Sequence, residues 1–322
     1  MQRLFTALVI LIAAATTAAA QTFPSRLITI VVPLPPGGAS DLLARTLADH
    51  MKGTLGQPVI VENVAGAGGT LSVNRVARAP GDGYTLSFGN WATHVASAAT
   101  YPVQYDILKD IEPVAKVADT PLWMVTKKAL PVQDLKQLIA WIKNNQDKAS
   151  AGIVGFGSGG HICGLTFQKA TGTRYQFVPY KGGAPAMQDL VAGQIDFMCD
   201  MAANSLPQAR AGNIKPMAVM ARKRWFAAPD VPTAEEMGVP EVAISLWHGL
   251  WASKGTPPDV IAKLNAAVVA ALADPAVQKR LTDQGHEVAP REQQSPAGFA
   301  AFHKAEADKW WPVIKKAGIK AQ

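Results

Sequence analysis

The residues best suited by type and spacing to hold or act on a small molecule sit in three glycine-rich stretches. These are "PPGGASD" (Pro35 to Asp41), "AGAGGT" (Ala65 to Thr70) and "GFGSGGH" (Gly155 to His161). Glycine lets the backbone turn sharply and approach a ligand closely, and the free N–H groups of a following helix favour an anion. None of the three stretches contains Lys or Arg, so a bound carboxylate would rest on backbone amides and on hydroxyls such as Ser40, Thr70 and Ser158. The third stretch also spells G-x-G-x-x-G through Gly155, Gly157 and Gly160, the pattern of a dinucleotide-binding turn. That chemistry wants an acidic residue about 20 positions on for the ribose hydroxyl, where "QFVPYKGG" instead ends its strand in Tyr180 and Lys181. No G-K-[ST] follows any of the glycines, so a P-loop is excluded as well.

Ser158 and His161 suggest a nucleophile and its base, which makes an exported hydrolase using Ser158 the alternative reading. The elbow motif, however, is G-x-S-x-G, and Phe156 stands where its first glycine belongs. Serine at a helix start caps the helix, the expected role here. His161, Cys163 and Cys199 make a poor metal set, because residues two apart on a helix face different ways. No H-E-x-x-H or C-x-x-C occurs, and no metal or cofactor is expected. Three further candidates lie at strand ends: Trp91 and His94 in "GNWATH", and Asp200 after "IDFMC". Open α/β sheets bind ligands at the carboxyl ends of their strands.

The elements that must carry these loops alternate between strand and helix. "RLITIVVP" is an apolar β-rich run, and "DLLARTLADHMKGTLG" has helical spacing through Leu42, Leu43, Leu47 and Met51. "PVIVEN" and "YTLSFGN" read as strands with the helical "TLSVNRVARA" between them. After "DIEPVAKVADTPLWMVTK" the alternation begins afresh, with strands "SAGIV", "YQFVPY" and "IDFMCD" separated by helices. This predicts an α/β fold of parallel sheets flanked by helices. It divides into two lobes, residues 21–121 plus 226–322 and residues 122–225, with a cleft between them. The crossovers fall near 121 and 225.

The first 20 residues read as a cleaved secretion leader, with Arg3, an apolar run from Leu4 to Ala15, and Ala18-Ala19-Ala20 before Gln21. The mature chain is then expected outside the cytoplasm. Its formal charge of +7 falls to +6 once Arg3 leaves. The basic residues are scattered, "ARKRW" being the one basic triplet, so no nucleic-acid partner is expected. Two cysteines, Cys163 and Cys199, allow either one disulfide or two buried thiols.

Read together, "ITIVVPLPPGGASDLLAR", "GQPVIVENVAGAGGT", "DGYTL", "GFGSGGHICG", "VPYKGGAPAMQDLVAGQIDFMCD", "APDVPTAEEMG" and "AGIK" follow one order from Ile28 almost to the end. The chain resembles the periplasmic solute receptors of tripartite tricarboxylate transporters, the Bug or TctC-like family. The resemblance implies a type II periplasmic-binding-protein fold that closes around a small carboxylate and presents it to a membrane permease. It also implies a monomer without enzymatic activity. It places Pro36, Gly37, Gly38, Ala39 and Asp41 on one side of the ligand and Gly157, Ser158 and Gly159 on the other. Gly68 and Gly69 support them, and Trp91, His94 and Asp200 line the pocket, while His161 is structural. The chain departs from the family at "SAATY" (Ser97 to Tyr101), where N-P-x-L-Y is frequent, and at Trp91, where smaller residues are common. An added indole would suit an aromatic or extended di- or tricarboxylate. An orphan receptor that signals to a sensor would share the same pocket.

Overall fold

The computed structural model describes residues 22–319 apart from Ala243 and Ala317, and the first element among them is a strand buried on both faces. The expected leader lies outside the described residues. Ile28, Ile30, Val31 and Val32 are fully buried in β1 (Ile28–Val32), the continuous apolar pattern of a strand covered by helices on both sides. It is followed by α1 (Ala39–Leu55), β2 (Val59–Asn63), α2 (Thr70–Ala77) and β3 (Thr85–Asn90). A π turn (Ala92–Ala96) and the short α3 (Ser97–Thr100) lead to β4 (Ile111–Lys127). Next come α4 (Leu135–Asn144), β5 (Ser150–Ile153), α5 (Gly159–Thr171), β6 (Gln176–Pro179) and α6 (Gly183–Ala192). Then follow β7 (Phe197–Met201), α7 (Ala202–Arg210), β8 (Ile214–Val219) and β9 (Ser245–Ser253). The chain finishes with α8 (Pro258–Ala273), α9 (Pro275–Asp283), β10 (Glu287–Val288) and α10 (Pro296–Lys316).

Strands β1, β2 and β3 pair in parallel, as do β5, β6 and β7. The link between these two sets differs from the parallel sheets expected from sequence. β4 is a single strand of 17 residues that serves both. Its first part, Ile111 to Pro121, runs antiparallel to β9. Its second part, Leu122 to Lys127, runs antiparallel to β7 and β8. Pro113 and Pro121 make the segment look broken in sequence, yet a strand tolerates proline at an irregularity. The register indeed shifts just after Pro113.

Each half has its own core. Ile30, Leu43, Leu47, Phe88, Leu250 and Val268 pack together in the first, and Trp123, Val125, Leu190, Met198 and Ile214 in the second. A third cluster continues beneath both, from Trp91 and Trp251 to Leu122, Ile162 and Phe167. Residues after β8 stay with the second half. Thr233 bridges Val219, and Ile244 N–H donates to the Met220 carbonyl at 2.8 Å. Of the two states open to the cysteines, the structure contains the disulfide, which ties α5 to β7 with Cα atoms 6.3 Å apart.

Candidate ligand-binding cleft

A cavity of about 990 Å³ lies between the lobes, and α1, α5, α6 and α7 all begin on its wall. First-turn N–H groups have no intrahelical partner. Neither Gly38, Gly182 nor Met201 caps its helix with a side chain. The fourth helix, α5, is capped by Ser158, whose Oγ accepts the His161 N–H at 3.2 Å.

On the first lobe, Pro36, Gly37, Gly38, Ala39 and Ser40 line the cavity. Asp41 stands behind them. Its Oδ2 accepts the Gly37 N–H at 2.9 Å, Asn63 Nδ2 donates to Oδ1 at 3.0 Å, and Arg45 closes an ion pair at 2.9 Å. Burial would raise the Asp41 carboxyl's pKa, but these bonds outweigh it and hold the pKa below the ordinary value. Asp41 therefore braces the loop and does not line the cavity, contrary to the expectation of ligand contact. Gly68 does line it, with φ of 63°. A Cβ there would fall 2.4 Å from the Tyr101 ring, so glycine is required on both counts. Gly69 lies behind, against Thr93 and Pro33.

On the second lobe, Ser158, Gly159 and Gly160 line the cavity, whereas Gly157 packs against Thr100. Gly160 lies so close to β7 that an added Cβ would stand 2.4 Å from the Cys199 carbonyl oxygen. The third glycine of the dinucleotide-like pattern thus serves helix–strand packing. Gly157 N–H donates to His161 Nδ1 at 3.0 Å. Burial lowers the His161 pKa to about 4, so the imidazole is neutral near pH 7 with its proton on Nε2. Ser158 has no bond to that ring, so the nucleophile–base pair of the hydrolase reading is not assembled. The one cavity-lining serine that does meet an imidazole is Ser40, 2.9 Å from His248 Nε2. His248 Nδ1 has no partner to orient it.

Trp91 and His94 are corrections. Both are fully buried away from the cavity. Trp91 packs edge-on against Trp310, and His94 stacks 3.8 Å from Trp251 while Ser87 and Thr93 hold its nitrogens. The neighbouring Ala92 and Thr93 face the cavity instead. The helical turn there exposes one side only, and the large rings occupy the core side.

Asp200 lines the cavity at the end of β7, with a relative exposure of 4%. Burial is the largest influence on it and raises its pKa to about 6. Asn204 Nδ2 donates to Oδ1 at 3.5 Å, while Oδ2 has no partner. Sequence reasoning missed Asn204, whose Oδ1 accepts the Ala39 N–H at 3.0 Å across the cleft. It also missed Gly182 and Gly183 at the start of α6. Their "YKGGAP" has the same strand, glycine turn and helix design as the loops singled out, so the signal was present. Tyr101, in the divergent "SAATY", reaches the Phe156 carbonyl at 3.4 Å. The cavity's charged lining residues are Lys181, Arg210, Asp200 and Asp283, which cancel formally. Among the described residues, no group of three His, Cys, Asp or Glu is placed to hold a metal ion.

Comparison with known proteins matches this geometry to one group. The sequence profile of the "Tripartite tricarboxylate transporter family receptor" matches residues 43–319. Protein BugT of Bordetella pertussis is 35% identical, the match covering 99% of each chain. The solved periplasmic binding protein BugD superposes with a TM-score of 0.87 at 38% identity, covering 93% of this chain and all of that one. MatC from Rhodopseudomonas palustris, solved with bound malate, gives 0.86 at 40% identity over 91% of this chain and 100% of MatC. Rpa4515 of R. palustris, solved with adipate, gives 0.87 at 33% identity over 92% of this chain and 99% of that chain.

Proposed function

The chain belongs to the tripartite tricarboxylate transporter receptor family of solute-binding proteins, and on that premise we propose that it captures a small carboxylate in the periplasm and delivers it to a membrane permease. The observation that carries this reading is the convergence of four helix N-termini on one cavity. Positive ends of helix dipoles and unpaired N–H groups favour an anion, and the side-chain charges of the lining cancel. The backbone therefore supplies the attraction. The lobes in this reading are residues 21–121 with the C-terminal part, and a second lobe from 122. The pairing of Thr233 with Val219 and the Ile244 bond to Met220 favour a return crossover near 244 over one at 225. Capture is a closure equilibrium in which a ligand touching both lobes favours the shut form. Malate in MatC and adipate in Rpa4515 support a di- or tricarboxylate here, bound and released unchanged.

Titration calorimetry with malate, adipate and citrate, each beside its carboxamide analogue, tests the proposal. The acids should bind at least about tenfold more tightly than the amides, about 1.4 kcal/mol, and NMR should recover them unaltered. Equal binding of an amide, or consumption of the acid, would overturn it.

A further inference from the structure

The basic run "ARKRW" (Ala221 to Trp225) does not line the cleft. Arg224 is held by Glu236 at 3.0 Å, and the Trp225 indole N–H donates to the Gly285 carbonyl at 3.2 Å. Arg222 lines instead a second cavity, of about 310 Å³. Small-molecule pockets span about 300–1,000 Å³, so this one is large enough for a ligand of one ring.

The second cavity backs onto the same strands as the cleft. Successive side chains of a strand point to opposite faces. Where β4 and β9 pair, Asp119 stands opposite Trp247 and Thr120 opposite Leu246. Leu246 lines the cleft, as does His286, whose Nδ1 lies 2.7 Å from the Thr120 hydroxyl. Asp119 and Trp247 line the second cavity. The remaining walls come from Ala221 and Arg222, just beyond β8, and from one side of α10. Met220 fixes the first of these walls, because its N–H donates to the Leu122 carbonyl at 2.7 Å.

The lining is cationic and aromatic. Both of its acids are engaged: Asp119 lies 2.8 Å from Lys116 Nζ, and Glu306 accepts the Trp247 indole N–H at 3.1 Å. Lys116 is itself buried, its side chain 3% exposed, with Nζ 2.6 Å from Gln293 Oε1 and 4.1 Å from the centre of the Phe302 ring. Arg222 and Lys309 have no acid partner among the described residues, and Lys309 Nζ lies 4.9 Å from the centre of the Trp310 ring. Three cations thus meet two acids, whereas the charges of the cleft cancel.

We propose that this cavity is a second ligand site, separate from the cleft, and that it takes a small aromatic carboxylate. The acid group is drawn to Arg222 and Lys309, and a guanidinium can hold a carboxylate through two parallel hydrogen bonds. The ring of the ligand lies among Trp247, Phe302 and Trp310, where edge-to-face or offset contacts add to burial. An uncharged ring leaves the two free cations unmatched. An aliphatic acid gives up the ring contacts.

Benzoate tests this, with benzamide and cyclohexanecarboxylate as controls that remove the charge and the aromaticity in turn. The indole N–H resonances of Trp247 and Trp310 report on the cavity, and that of Trp141, on α4 and lining neither cavity, is the reference. Benzoate should move the first two and not the third, with a Kd below about 1 mM and at least about fivefold tighter than either control. Arg222→Ala and Lys309→Ala together should weaken it at least about fivefold. Both side chains are exposed, so the double variant should fold as the parent does. Unmoved Trp247 and Trp310 resonances, or equal binding of benzamide or cyclohexanecarboxylate, would sink the inference in the unaltered protein. Benzoate binding that survives the double substitution would sink it as well, since the ligand would then act from elsewhere. None of these outcomes bears on the cleft, whose carboxylate is tested separately.

Discussion

At the residue scale, Asp200 and Asp41 are two buried carboxylates pushed in opposite directions, and stability should report each. Burial lifts Asp200 from 3.8 to about 6. Between those values the folded chain holds a proton that the unfolded chain has released, so its contribution is fully present in acid and is lost as pH rises toward 6. A shift of about two units is worth about 3 kcal/mol. Asp200→Asn should accordingly raise the thermal midpoint of the unliganded protein at pH 8, with the gain shrinking to nothing near pH 4. Asp41 is the reverse case. Burial opposes its ionisation, but Arg45, Gly37 and Asn63 prevail, so its contribution is present above its unfolded value and disappears as pH falls below about 3.8. Asp41→Ala should cost about 1–3 kcal/mol at pH 7 and converge with the parent protein in strong acid. Midpoints recorded from about pH 2 to about pH 8 test both, and parallel curves for either variant over that span would contradict its assignment.

At the element scale, the site depends on how closely α5 lies on β7. Gly160 permits that approach, since a Cβ would meet the Cys199 carbonyl oxygen at 2.4 Å, and the Cys163–Cys199 disulfide joins the same two elements. Gly160→Ala should lift the α5 N-terminus off the strand, costing about 1–3 kcal/mol of stability as overpacked sites do. It should also weaken carboxylate binding more than Gly172→Ala, which adds a methyl in open space at the far end of the same helix. Equal binding by both variants would show that α5 placement is irrelevant to the ligand. The alternation of apolar runs and glycine turns made these elements legible, because each strand and helix carries its own periodicity. β4 was not legible: its continuity is set by β9, β7 and β8, all distant in sequence. Trp91 and His94 were placed in the right turn but on the wrong face, since a five-residue π turn is too short to declare its buried side. Asn204 left no signal, because its partner Ala39 lies 165 residues away.

For the whole molecule, the proposed capture by closure predicts an equilibrium between open and shut forms, and the contacts between the lobes in the described structure are the ones that would favour the shut form. The lobes meet through the Asn204 bond to Ala39 N–H, the Trp225 indole N–H on the Gly285 carbonyl, the Tyr101 hydroxyl on the Phe156 carbonyl, and the packing of Pro35, Thr100 and Leu246 against Gly182, Gly157 and Gly159. Of the three polar bonds the first is the shortest, at 3.0 Å against 3.2 and 3.4 Å. A net hydrogen bond is worth about 1 kcal/mol, so removing it should shift the shut-to-open ratio about fivefold. Asn204→Ala should therefore leave the unliganded protein more extended, read as a larger radius of gyration by small-angle X-ray scattering. A saturating ligand should restore the parent value, because it supplies its own oxygen to the α1 amides and bridges the lobes in place of the missing side chain. Tyr101→Phe, which removes a contact at 3.4 Å, should move the radius less. If Asn204→Ala and the parent scatter alike without ligand, the shut form is held by the other contacts between the lobes and not by this bond. Substitutions at Trp225, which bonds the Gly285 carbonyl, and at Pro35 would then be expected to open the cleft.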